Sequence, residues 1–538
     1  MSTQNDGGDN DAVDTVASGP ARGTADRGGL WERLREFNSA GRALGRRRSG
    51  LVPLICLALV GGLSVAIGWS VIRRSERSVA AESAVEVIYC AGWDPQIRKP
   101  VGVMNADEAR TRDSAGNPYA VLLTTNTQPK ALLHIDWGRR YLGLFLFEQH
   151  GRRDRAYDYR ELEPGLLHLI RYEQWRYASA DAPEFPERGW HLTLTARPDT
   201  DTASVELDHG SLLQTAHDIP ERYRSLRRAP FGDWMAYAHG RMLGFDPGAG
   251  GIGGVKVVPS PDGGSQEPAT PLWRAPSGMQ PRHLQALFTP GSRFSGTDLD
   301  TAVVTEPEPA GVLQVPTGAV IAADPGTLHN SDEPFTVLVT PGNYPVLIAG
   351  LRWEGKSWGE TTAAMLRILD KPTASWELAV RPGQDVRLLG DDEFYGFGVD
   401  SGTGAFLDAS GRDALAAAHE QEQQSEASAG GKATETADPK TGTNMIVYPS
   451  GRGDGSYPVW IGRAADGAVT CLVADMLLLR DMKPLPPATP DTAVFLTPTP
   501  TRNGARPQPK PARPEATAEF LATVVADAEA MKERISRR

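Results

Sequence analysis

Three aspartates, Asp400, Asp408 and Asp454, stand in glycine-rich turns beside short apolar runs, and of all the side chains in the sequence they come nearest to chemistry. Two carboxylates brought close together shift each other's pKa, and such a pair could move a proton or hold a hard cation such as Ca2+. The commoner use of an aspartate in such a turn is to accept backbone N–H groups and fix the turn. Both uses require the strands on either side to bring the turns to one end of a sheet.

Other motifs are weaker. Val399-Asp400-Ser401-Gly402-Thr403 carries the short signature of aspartic proteases, and Ile461-Gly462-Arg463 is similar to the later strand of the retroviral type. That chemistry needs two carboxylates sharing a proton, so a chain with one such triplet would have to act as a symmetric homodimer. Gly355-Lys356-Ser357-Trp358-Gly359 fits GxSxG, between an expected strand and the helix-like Thr361 to Leu369. In the fold that uses this elbow the histidine follows the serine, and here the only later one is His419, in a polar low-complexity stretch. Gly248 to Gly253 fits GxGxxG, but Val255 to Val258 after it reads as a strand, whereas the fingerprint must open a helix. The histidines form no HExxH, and His209 with His217 alone makes no metal site, so neither a metal nor a cofactor is implied. Arg452-Gly453-Asp454 spells an adhesion tripeptide and carries no weight on its own.

The chain has 538 residues, with 57 Gly and 42 Pro, which favours turns and linkers over long helical bundles and leaves room for two folded domains. Its net charge is −11, and residues 1–50 are close to neutral, so the acidity belongs to the remainder. An acidic body excludes a nucleic-acid partner, because phosphate binding rests on clustered Lys and Arg. Of the 3 cysteines, Cys56 lies in an apolar run. Cys90 and Cys471 are then either one disulfide, if that part is exported, or two buried thiols.

That apolar run is Leu51 to Ile72, LVPLICLALVGGLSVAIGWSVI, and it holds no charge. About 20 such residues at helical rise cross the hydrocarbon of a bilayer. The segment is too long and too far from the start for a cleaved signal peptide, and it is read as a permanent anchor. Arg33, Arg35, Arg42, Arg46, Arg47 and Arg48 precede it, against Arg73, Arg74 and Arg77 after it. The positive-inside rule therefore puts the N-terminus in the cytoplasm and the C-terminal domains outside. Residues 1–50 are expected to be a disordered cytoplasmic tail.

Beyond the anchor, short runs such as VEVIYC (85–90), YLGLFLF (141–147) and WHLTLTA (190–196) alternate with turn residues, and their period of two predicts half-buried strands. The expected fold class is mainly β (α+β): a single-pass transmembrane helix followed by two strand-rich soluble domains, 80–295 and 297–483. A polar stretch, 411–442, is expected as a disordered insertion in the second domain. Residues 484–513 read as a Pro-rich linker. Residues 514–536 read as an amphipathic helix, since Phe520, Val524, Ala528, Met531 and Ile535 recur at helical spacing, and that stripe needs a partner surface.

The second domain resembles a bacterial family known only as domain of unknown function 4241. The resemblance rests on GVLQVPTGAVIAADP (311–325), PFTVLVTPGNYPV (334–346), ASWELAV (374–380), YGFGVDSGTGAFLDA (395–409) and SGRGDGSYPVWIGRAADGAVTCLVADM (450–476), in that order. It implies a compact, mostly β domain and brings no established activity. Positions that match the family pattern include Asp324, Trp376, Glu377, Asp400, Asp408, Asp454, Tyr457 and Asp475. Of these, Asp324, Trp376, Glu377 and Tyr457 are candidate ligand-binding residues. The chain departs from the family in its insertion, in Met476 where an aromatic is usual, and in its anchor.

The expected function is thus a membrane-anchored protein that presents a β-rich binding domain to a protein or cell-envelope ligand, with the lipid bilayer as its other partner. The alternative is a hydrolase using Asp400 with Asp408 or Asp454.

Overall fold

The computed structural model describes residues 84–198, 202–208, 212–217, 225–238, 242–243, 254–259, 271–296, 301–328, 332–425, 433–487, 492–497 and 514–536. The expected tail, the span 51–72, the glycine run 248–253 and His209 lie outside them. Among the described residues no helix is long and apolar enough to cross a membrane. The described chain is strand-rich and divides into two compact units, one of residues up to Pro276 together with the C-terminal helix, the other of Ser277 onward. The division thus falls ahead of the boundary expected near 295.

The N-terminal unit is built on an antiparallel meander. Its strands are β1 (Val85–Cys90), β2 (Tyr119–Thr125), β3 (Gln128–Asp136), β4 (Tyr141–Phe147), β5 (Arg153–Glu163), β6 (Leu166–Arg176), β7 (Trp190–Arg197), β8 (Thr202–Leu207) and β9 (Leu212–His217), each paired to the next in sequence. A short strand, β10 (Val255–Val257), joins the free edge of β1 in parallel. The period of two sets the faces: in β7, Leu192, Leu194 and Ala196 are buried while His191, Thr193 and Thr195 between them are half-buried. Helix α1 (Ala106–Ala115) is capped by Asn105, whose side chain accepts the Glu108 N–H. The Asp113 carboxylate near its end accepts both the Tyr119 hydroxyl (2.7 Å) and the Trp137 indole N–H (2.6 Å), which fastens α1 to the sheet.

The C-terminal unit holds β11 (Glu308–Val315), β12 (Val320–Ala323), β13 (Gly342–Trp353), β14 (Gly359–Arg367), β15 (Ser375–Leu378), β16 (Gly396–Val399), β17 (Thr403–Asp408), α2 (Arg412–Ser425), β18 (Thr434–Asp438), β19 (Thr443–Pro449), β20 (Gly455–Arg463), β21 (Val469–Asp475) and β22 (Val494–Leu496). Its large sheet runs β13-β14-β21-β20-β15-β22, with β11 also on β13 and β16 also on β20. A smaller sheet runs β12-β17-β19-β18. Leu313, Val320, Phe397, Phe406, Ile446, Tyr448 and Leu472 join both sheets in one core, and Trp376, Trp460, Val473 and Leu351 form another.

Three expectations are corrected here. The polar stretch 411–442 is not wholly unpacked: its described residues form α2 and β18, because Leu415, completely buried, packs with Ile321, Leu407 and Met445. Thr361 to Leu369 is no helix. Most of it is β14, held by β13 on one side and β21 on the other, and pairing on both edges overrides its helix-like composition. The linker contributes β22, which lies parallel to β15, besides Lys483–Leu485, which pairs Arg293–Ser295. Of the two readings left open for Cys90 and Cys471, the structure shows free, buried thiols.

The last helix, α3 (Pro514–Ser536), forms as its stripe predicts, but it serves the N-terminal unit. Phe520, Leu521, Val524, Val525 and Ala528 sit in one core with Leu133, Leu144, Leu169 and Leu194 of the meander. Glu529 pairs with Arg176, and Lys532 pairs with Asp208.

Candidate functional site

The turns that carry the aspartates are positioned by the junction of the two sheets in the C-terminal unit. Asp324 ends β12 and caps the single 3-10 turn Pro325–Thr327. It is 2% exposed, and its carboxylate is fully engaged. Oδ1 accepts the Gly326 N–H (2.7 Å) and the Ser401 hydroxyl (2.6 Å), and Oδ2 accepts the N–H groups of Asp400 (2.6 Å) and Ser401 (2.7 Å). A buried carboxylate thus clamps the backbone of the turn between β16 and β17. Two glycines make the close fit possible: Gly402 takes φ +71°, and a Cβ on Gly326 would stand 3.1 Å from that of Ser401.

The clamp leaves the Asp400 side chain exposed. The register of β16 on β20 ends with Val399 paired to Gly455, and Asp454, just before Gly455, is exposed as well. The turn that bears Asp454 is tied to its neighbour: the Ser450 N–H donates to the Gly402 carbonyl (3.1 Å), and the Tyr457 hydroxyl donates to the Gly453 carbonyl (2.8 Å). Burial raises the Tyr457 phenol, so it stays a neutral donor. Asp400 and Asp454 are thus two exposed carboxylates, each in a turn that adjoins the paired end of β16 and β20.

Asp408 does not join them. It lies at the far end of β17, roughly 17 Å away at about 3.3 Å per strand residue. It is completely buried, and its oxygens accept the N–H and hydroxyl of both Thr317 and Ser410. Its work is to fix the entry to α2, so an Asp400–Asp408 pair is not formed. Trp376 is also misplaced by the sequence reading: it is 3% exposed, on the inward face of β15, and part of the core. Glu377, one residue on, forms an ion pair with Arg463 across the β15–β20 ladder. Tyr457 is buried, with its ring tilted against that of Phe397. Ser357 occupies the hairpin turn between β13 and β14, which is not the strand-to-helix elbow a nucleophile needs.

His419 was set aside on sequence because of its polar surroundings. Helix α2 brings it to Thr436 (3.4 Å) and into the field of Glu422 and Asp324. Burial lowers its pKa, against the pull of those two carboxylates, and keeps the ring neutral. The run ALAAAHE, good helix-forming sequence behind an aspartate cap, was the signal that could have placed it. Asp475 is the other buried group of note. Its oxygen caps the Leu477 N–H (2.9 Å), and burial pushes its pKa up to about 6. Among the described residues, no group of three or more His, Cys, Asp or Glu is placed to hold a metal ion.

Fold and site together define a β-rich module in which buried aspartates organise glycine-rich turns at the sheet ends. Residues 313–474 of it match the model of the family described as a protein of unknown function, DUF4241. The resemblance read from the motifs is thereby borne out for the C-terminal third of the chain. No curated protein and no solved structure matches the chain.

Proposed function

We propose that the protein is a membrane-tethered binding protein whose C-terminal unit offers the rim of Asp400, Ser401 and Asp454 to a protein or cell-envelope ligand bearing cationic groups. The observation that carries this reading is the Asp324 clamp. A carboxylate that spends both oxygens on one turn holds that turn rigid, and an exposed carboxylate on a rigid turn meets a cationic partner with little ordering cost. The uncharged span 51–72 supplies the tether.

The test is cosedimentation of the detergent-purified full chain with purified cell-wall sacculi. The Asp400→Asn, Asp454→Asn double variant should lose roughly tenfold or more in affinity, the scale of a removed charge pair, with its melting curve unchanged. Equal binding by parent and variant would end the rim hypothesis. Hydrolysis of any substrate by the parent, abolished by Asp400→Asn alone, would favour the hydrolase reading. Protease shaving of intact cells places the rim: cleavage of the C-terminal unit is expected, and recovery of the intact chain in the soluble fraction without detergent would remove the tether.

A further inference from the structure

The N-terminal unit is discontinuous in the chain: residues 277–497, a complete unit with its own cores, stand between its sheet and its last helix. We propose that α3 is a clasp that closes the N-terminal unit only after residues 514–536 have been made, so that this unit stays open while the C-terminal unit folds. The proposal does not depend on the binding function or on the membrane, since it follows from chain order alone.

Three observations carry it. The side chains that α3 contributes are core, not rim: Leu521, Val524 and Ala528 are 1%, 2% and 3% exposed. They share one core with Leu133, Leu144 and Leu194 of the meander. A sheet must cover its apolar face to be stable, and that cover is shared by Ala109 of α1, by Trp234, Tyr237, Met242 and Leu243, and by α3. The ion pairs Arg176–Glu529 and Lys532–Asp208 fix the helix in place, and Arg176 is itself held over the Trp190 ring at 4.1 Å. Finally, chains fold from the N-terminus as they are made, so a unit whose core includes residues 520–528 cannot close before that segment emerges.

The experiment compares the full chain with the full-length Leu521→Asp, Val524→Asp double variant by limited trypsin digestion, with fragments identified by mass. Cleavage within 84–276 should rise roughly tenfold or more, as expected when an open form becomes populated, while 277–497 resists as in the parent. The control is Ala522→Asp, Thr523→Asp on the exposed side of the same helix, which should cut like the parent. In a second arm a specific protease site is placed in the 498–513 segment and cut after folding. The freed helix should coelute with the rest in gel filtration. When it is removed in denaturant, the N-terminal unit should refold to a protease-resistant state only if the helix is added back. An N-terminal unit that resists trypsin without its helix, or a double variant as resistant as the parent, would overturn the clasp.

Discussion

At the scale of single residues, the aspartates of the C-terminal unit divide by what their oxygens do. Asp324 and Asp408 are buried acceptors whose partners are backbone N–H groups and hydroxyls of two separate turns. Replacing either with Ala leaves several of those donors unpaired, and the expected loss is about 2–4 kcal/mol, read by urea denaturation. Asp400→Asn should stay within about 0.5 kcal/mol, because its side chain is exposed and only its N–H is held. If Asp400→Asn cost as much as Asp324→Ala, the assignment of clamp and rim would be reversed. Asp475 is a different case. Burial raises its folded-state pKa from 3.8 to about 6, so the folded protein binds a proton more tightly than the unfolded chain. Its contribution is full at low pH and is lost as the pH rises through 6, amounting to about 3 kcal/mol at most. Asp475→Asn, which can still accept the Leu477 N–H, should gain on the parent between pH 5 and pH 8. A stability difference that stayed flat across that range would contradict the burial argument.

At the scale of elements, the sequence was readable wherever one periodicity dominated. The strands Val85–Cys90, Tyr141–Phe147 and Trp190–Arg197 form where the period of two and the apolar runs predict them, and Pro514–Ser536 is a helix where its stripe predicts one. Thr361 to Leu369 was misread because Ala, Met, Leu and Arg favour a helix locally, and only β13 and β21, distant in sequence, supply the pairing that decides otherwise. In 411–442 composition misled in the opposite direction, since one leucine at Leu415 is enough to seat α2. Leu415→Ala should therefore cost about 2–5 kcal/mol, the range for a completely buried leucine, and should release His419 from Thr436. A cost near zero would return the stretch to a passive loop. The aspartates of the candidate site were legible as turn residues, but which two of them would adjoin the same strand end was not. That depends on the register of β16 on β20, which no local pattern encodes.

At the scale of the whole molecule, the order of elements along the chain and their grouping into units do not coincide. The stripe on α3 showed that a partner surface must exist, yet the partner is a sheet that begins at Val85, and no property of the helix itself identifies it. This arrangement bears on how the protein unfolds. The two units have separate apolar cores, and the interior of the first includes the last helix of the chain. Heating the protein should accordingly give two transitions, one for each unit. Leu521→Ala, near the C-terminus, should shift only the transition reported by Trp137 and Trp234, by about 2–5 kcal/mol. Asp408→Ala should shift only the one reported by Trp376 and Trp460. Single-tryptophan variants followed by fluorescence would separate the two signals. If Leu521→Ala moved the Trp460 signal and spared that of Trp234, the helix would belong to the other unit, and the division of the chain described here would have to be redrawn.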